Sequence, residues 1–152
     1  MHLLFEIRSL QRRSEVSQRR CECHLVQLTR EDHDIGCNEA ILVSQEAETQ
    51  NLLKMQQIER TVLGREQLYT LLRKQALLQY QLQNIKLQIT QLQEQRQVLS
   101  DRRTKIQNER QIWLRKYEKY ERWTKRIRHQ ARLLQLQLDE AEQEDRRSQW
   151  SR

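Results

Sequence analysis

Every seventh residue from Leu71 is apolar: Leu71, Leu78, Ile85, Leu92, Leu99, Ile106, Trp113, Tyr120, Ile127, Leu134 and Ala141. A seven-residue apolar repeat held for this long specifies a helix packed against another helix, because helical geometry brings all of those side chains onto one stripe. The companion series four residues on reads Gln75, Leu82, Ile89, Arg96, Arg103, Arg110, Tyr117, Thr124, Ala131 and Leu138. The seam is therefore apolar at both ends and lined by arginines in the middle. The series from Lys74 is polar at nearly every step (Lys74, Gln81, Gln88, Gln95, Arg102, Glu109, Lys116) and forms a solvated back face. A continuous helix over residues 66–143 would reach on the order of 110 to 120 Å, the dimension of a rod.

Composition supports an all-α fold, a long antiparallel two-helix coiled-coil hairpin. Of 152 residues, 36% are hydrophobic and 32% charged, there is no proline, and the two glycines are Gly36 and Gly64. A two-helix structure buries one stripe per helix and solvates the rest, so it offers no large internal pocket. No phosphate-binding loop, nucleophile elbow or H-E-x-x-H pair occurs, and without a concave site to shift carboxylate pKa values an enzyme is not expected. The formal net charge of +7 points to acidic partners or surfaces. No apolar run approaches the roughly 18 to 20 residues needed to span a bilayer, so no membrane insertion is expected. The N-terminal residues are too charged for a secretory signal, and Cys21, Cys23 and Cys37 read as reduced thiols of a cytosolic protein.

In chain order, residues 2–62 carry a weaker helical pattern, with apolar positions at Leu3, Leu4, Ile7, Leu10, Cys21, Leu25 and Leu28 and a polar gap at Ser14 and Ser17. Poor helix formers and Gly36 make residues 29–38 the expected place for a bend or fraying. The turn is expected at residues 63–66, with Gly64 in the left-handed conformation that closes a helix and Gln67 reaching back to cap the next. The second helix should cover residues 66–145, followed by a polar tail at 146–152. All of this describes a single coiled-coil unit. Antiparallel pairing about this turn places residues whose numbers sum to roughly 128 opposite each other. Arg96 then faces Glu31, Asp32 and Asp34, and Trp113 faces Ser14. Residues 126–152 overhang, carrying Leu133, Leu134, Leu136 and Leu138 ahead of an acidic stretch at 139–145.

Two clusters invite chemical readings. Cys21, Cys23, His24, His33 and Cys37 contain sulfur and imidazole donors, but residues two apart on a helix point to different faces and no second well-spaced pair exists, so no metal site is expected. No other cofactor is expected either. The basic residues Arg115, Lys116, Lys119, Arg122, Lys125, Arg126 and Arg128 alternate with Trp113, Tyr117, Tyr120 and Trp123. Such a helix can contact phosphates and stack bases, which leaves a basic coiled-coil nucleic-acid binder or a generic scaffold as the alternative function. Against it, Trp113, Tyr117 and Tyr120 fall on the seam, and the strongest heptads precede the basic cluster rather than follow it. Packing accounts for most of the aromatics, and nucleic acid is not the expected partner.

Several strings carry a family resemblance. Tyr69-Thr-Leu-Leu-Arg-Lys-Gln75, Leu87-Gln-Ile89 with Glu94 and Arg96, Trp113-Leu-Arg-Lys116, Tyr120 with Arg122-Trp123, and Leu10-Gln-Arg-Arg13 resemble the SpaM/InvI proteins of virulence-associated type III secretion systems. That family is similar to the YscO stalk proteins and, more distantly, to flagellar FliJ. The resemblance implies a cytoplasmic central stalk at the base of the secretion apparatus on the inner membrane. Its paired termini would enter the hexameric secretion ATPase, its tip would reach the cytoplasmic domain of the export gate protein, and it would handle export chaperones. The gate-contacting face carried over from the flagellar relatives is Tyr69, Leu72, Ala76, Gln79 and Gln83, with Arg73 beside it. Leu72 stands where an aromatic is expected, and Gln79 and Gln83 replace a small residue and a histidine. The basic residues Arg115, Lys116, Lys119, Arg122, Lys125 and Arg126 would face the ATPase.

Overall fold

The computed structural model describes residues 2–58 and 64–151, Ile58 by its backbone alone. Two α-helices account for nearly all of them: α1, His2–Ile58, and α2, Arg65–Trp150. Among the described residues there is no strand and no cis peptide bond. The chain divides into two compact units, one of Met1–His24 with Ile106–Arg152 and the other of Leu25–Lys105. Each unit is an antiparallel pair of one α1 segment and one α2 segment.

In the unit of Leu25–Lys105, the half-buried and buried side chains of α2 are Leu71, Gln75, Leu78, Leu82, Ile85, Ile89, Leu92 and Leu99, the seam read from the sequence. Those of α1 recur at the same three-and-four spacing, through Leu25, Leu28, Asp32, Ile35, Glu39, Leu42, Glu46, Thr49 and Leu53. Leu28 and Leu99 are the buried apolar residues here, each 8% exposed. Arg96 occupies a seam position and reaches across to α1. Its Nε donates to Asp32 Oδ1 at 3.1 Å and its Nη1 to Glu39 Oε2 at 2.9 Å, while Gln93 Nε2 donates to Glu39 Oε1 at 3.3 Å. The expected acidic partnership of Arg96 is present through Asp32, but its second partner is Glu39 rather than Glu31 or Asp34. A heptad separates Asp32 from Glu39, so both share the seam-facing stripe, whereas Glu31 and Asp34 lie to its side and are exposed.

The same contact explains why residues 29–38 are helical without interruption, where a bend or fraying was expected from their composition. Asp32 and Glu39 flank Gly36 and are tied to one guanidinium, whose atoms lie 3.8 to 3.9 Å from where a Cβ on Gly36 would stand. Thr29 adds a hydroxyl bond to the Leu25 carbonyl at 2.8 Å. Tertiary pairing thus overrides weak local propensity.

At the other end of this unit, Gly64 does not have a positive φ, so the expected left-handed closure of α1 at this glycine is not its role. Gly64 instead caps α2. Its carbonyl accepts the Leu68 amide at 2.9 Å, and its amide donates to Gln67 Oε1 at 3.4 Å, the reach-back read from the sequence. The expected extension of the first helix to residue 62, and Leu63 of the turn, lie outside the described residues.

In the unit of Met1–His24 with Ile106–Arg152, α1 contributes Leu4, Ile7, Gln11, Ser14, Gln18 and Cys21 to the seam, and α2 contributes Ile106, Trp113, Tyr117, Tyr120, Thr124 and Ile127. Small Ser14 and Cys21 on α1 share this seam with the large aromatics Trp113, Tyr117 and Tyr120 on α2. Ser14, the polar gap of the sequence pattern, is the most buried of the described residues, 1% exposed, with its hydroxyl donating to the Leu10 carbonyl at 3.0 Å. Thr124 does the same to Tyr120 at 2.9 Å. Cys21 is buried, and burial foremost, with the Glu109 carboxylate next, raises its thiol pKa and keeps it protonated and unreactive. Arg110 pairs with Glu22 at 3.0 Å, but both side chains are about half exposed and the pair adds little stability. The helix continues to Trp150 rather than ending in the expected polar tail.

Two consequences can be measured. Gly36 is helical and the nearest atoms to an added Cβ are at ordinary contact distance, so Gly36→Ala should stabilise the protein by about 0.5–1 kcal/mol in urea denaturation; a loss of stability would contradict the packing described. The Arg96 hydrogen bond first, and that from Gln93 second, hold the Glu39 carboxyl below the usual glutamate range. A depressed folded-state pKa stabilises at pH values above the unfolded one, about 4.3, and that contribution disappears as pH falls through the lower folded value. Glu39→Gln should therefore flatten part of the drop in melting temperature between about pH 5 and about pH 3.

Candidate docking surfaces

The residues expected to contact the export gate form an open face. Tyr69 and Leu72 are 59% and 41% exposed, and Arg73, Ala76, Gln79 and Gln83 are exposed with them. Spacings of three and four residues put Tyr69, Leu72, Ala76, Gln79 and Gln83 on one helical stripe, while Leu71, Leu78 and Leu82 turn into the seam. Leu63, on which Tyr69 could pack over the turn, lies outside the described residues. Two exposed apolar side chains nearby were not singled out in the sequence: Tyr80, 65% exposed, and Leu77, 59% exposed. Tyr80 lies eleven residues after Tyr69, a separation that returns to nearly the same stripe, so the signal was available. The exposed strip thus carries two tyrosines with Arg73 and Lys74 alongside.

The basic set of the other unit divides into engaged and free residues. Lys116 Nζ lies 4.5 Å from the Trp113 ring centroid and Lys119 Nζ 4.8 Å from that of Trp123, while Lys125 pairs with Glu121 at 3.2 Å. Tyr120 meets Trp123 edge to face, centroids 6.0 Å apart. Arg115, Arg122 and Arg126 are exposed and make no ion pair among the described residues. Arg126 also borders a groove of about 430 Å³ with Leu3, Glu6, Ile7, Leu10, Trp123, Ile127 and Gln130. Helix pairing therefore extends beyond the expected limit near Lys125, and the overhang starts after Gln130. From residue 128 to residue 151 every side chain is exposed.

Among the described residues no group of three or more His, Cys, Asp or Glu side chains is placed to hold a metal. His33 and Cys37 share a face, Nε2 to Sγ at 3.7 Å, whereas Cys21 is buried and Cys23 exposed. In the unit of Leu25–Lys105 an open groove of about 400 Å³ is lined by Arg96 and by the two carboxylates it pairs with, Asp32 and Glu39. No helix is long and apolar enough to cross a membrane among the described residues.

The profile of the family described as Salmonella surface presentation of antigen gene type M protein matches residues 6–147. The chain belongs to this family. It is accordingly a type III secretion-related protein. The matched span takes in both helices, the Tyr69 strip and the basic segment together. No curated protein and no solved structure matches the chain.

Proposed function

We propose that this surface presentation of antigen family chain is a central stalk of the type III export apparatus, a non-enzymatic coupler between the hexameric secretion ATPase and the cytoplasmic domain of the export gate. The observation that carries the reading is the exposed Tyr69, Leu72, Arg73, Ala76 strip, which is free for a partner because the seam residues beside it already hold the helix pair. Exposed tyrosine beside arginine is the composition of a binding hot spot. In the other unit Arg115, Arg122 and Arg126 offer unpaired charge to acidic loops of an ATPase ring. Two helices that run through both units give one chain two separate binding faces, which is what coupling requires. Export chaperones are further partners of this reading, and its site of action is the cytoplasmic base of the apparatus.

Nucleic-acid binding has less support. Trp113, Tyr117 and Tyr120 are half-buried in the seam, and Lys116 and Lys119 lie over tryptophan rings, which occupies aromatic surface that bases would stack on.

Titrating the purified protein into the cognate ATPase should stimulate hydrolysis in a salt-dependent manner. Tight binding to unrelated DNA with no effect on hydrolysis would overturn the reading. Replacing Arg115, Arg122 and Arg126 together by Glu should weaken ATPase binding by about tenfold or more and reduce its salt dependence, with far-UV circular dichroism unchanged. Tyr69→Ala combined with Leu72→Ala should abolish gate binding and secretion while sparing helicity and ATPase stimulation. If helicity and stimulation fall together, those side chains hold the helix pair and the strip is not a separate site.

A further inference from the structure

Beyond the last paired residues, α2 keeps the seam pattern without a partner. Ala131, Leu134, Leu138 and Ala141 continue the two heptad series, yet all are exposed, Leu134 at 61% and Leu138 at 65%. Residues 128–150 nonetheless remain helical. An apolar heptad stripe without a partner in its own chain needs another helix to cover it. Charge identifies that helix. The segment is basic at its start (Arg128, His129, Arg132) and acidic toward its end (Asp139, Glu140, Glu142, Glu144, Asp145), and none of these side chains forms an ion pair among the described residues.

We propose that residues 128–145 of α2 form a self-association surface that pairs antiparallel with the same segment of a second copy of this chain. Antiparallel pairing centred on Leu136 places residues whose numbers sum to 272 opposite each other. Leu134 then packs on the partner copy's equivalent of Leu138, and Ala131 on that of Ala141. This alternates the two heptad series across the interface as antiparallel coiled coils do. The flanking positions agree: Arg128 of each copy meets Glu142 of the other, and the remaining flanking contacts pair Gln130 with Glu144 and Gln135 and Gln137 each with itself. No like charges face each other. A parallel, in-register pair would lay the acidic stretches side by side, with Asp145 against Asp145 in the seam, and is disfavoured. Four layers, two of them only alanine, give a modest interface, so the dimer is a weak, concentration-dependent one that salt loosens.

The test is sedimentation equilibrium of the full chain from about 1 to about 200 µM, a range that brackets micromolar association. The wild type should pass from monomer to dimer. Leu134→Gln with Leu138→Gln should remain monomeric with unchanged helicity, since neither side chain is buried in its own chain. Arg128→Glu alone, and Glu142→Arg alone, should each weaken the dimer by at least ~tenfold, because each creates two repulsive contacts. Combining them should restore it to within about threefold of wild type. A wild type that stays monomeric throughout, a dimer indifferent to the single charge changes, or a double exchange that fails to recover would overturn the proposal. So would a monomer whose ATPase binding is lost in the Leu134→Gln, Leu138→Gln variant, which would assign the stripe to the ATPase instead.

Discussion

Arg96 is a permanent cation at a position that a seven-residue repeat reserves for an apolar side chain, and the unit of Leu25–Lys105 is arranged around satisfying it. The guanidinium spans from Asp32 to Glu39, two carboxylates one heptad apart on α1, and Gln93 steadies Glu39 from the same side. These bonds raise the pKa of Arg96, Asp32 first among them, and lower that of Glu39. Hydrogen bonding of a planar fork to two fixed acceptors is directional in a way that leucine packing is not. Leucine stripes tolerate slippage by a heptad, whereas Arg96 would lose one or both acceptors if the helices moved past each other by a turn. The side chains remain partly exposed, 42% for Arg96 and 18% for Glu39, so the contribution is to register more than to overall stability.

That assignment accounts for features that otherwise look like defects. A Cβ added at Gly36 would stand at van der Waals distance from the Arg96 guanidinium, and the weak helix formers around this glycine are held from the opposite helix rather than by their own propensity. The other unit solves its packing differently, with Trp113, Tyr117 and Tyr120 on α2 set against small Ser14 and Cys21 on α1. In both units the seam consumes the heptad positions where the two helices pair, and it leaves the adjacent faces, and the heptad positions beyond Gln130, open. The Tyr69 strip, the free arginines and the stripe beyond Gln130 are what remain open on this type III secretion-related protein.

The second helix was legible in the sequence because its seam is apolar for most of its length. The first was harder, since Gln11, Ser14, Gln18, Asp32, Glu39, Glu46 and Thr49 occupy seam positions and break the apolar count, while Leu3, Ile41, Leu52 and Met55 are exposed. Asp32 was found as a partner of Arg96 from the antiparallel register alone, but Glu39 required the reach of the guanidinium. Gly64 was recognised as a boundary residue, yet assigned to the end of one helix rather than the start of the next; its φ and its bond from the Leu68 amide decide the matter. Local composition also ended α2 too early, because an acidic stretch followed by arginines reads as a solvated tail although it can remain helical. The Tyr69 face rests on the family resemblance, with three-and-four spacing placing its residues on one stripe, while Tyr80 lies outside the seam repeat and joins that stripe only through its eleven-residue separation from Tyr69.

The claim that a polar layer sets the pairing is tested most directly by a double-mutant cycle between Arg96→Leu and Glu39→Leu, read by urea denaturation at neutral pH. Arg96→Leu leaves both Asp32 and Glu39 without their cation, Glu39→Leu leaves Arg96 with Asp32 alone, and the coupling between the two changes reports the bond between Arg96 and Glu39. The account predicts that each single variant is less stable than wild type and that Glu39→Leu costs clearly less in the Arg96→Leu background than in wild type. Losses that simply add, with the double variant the least stable of all, would contradict it.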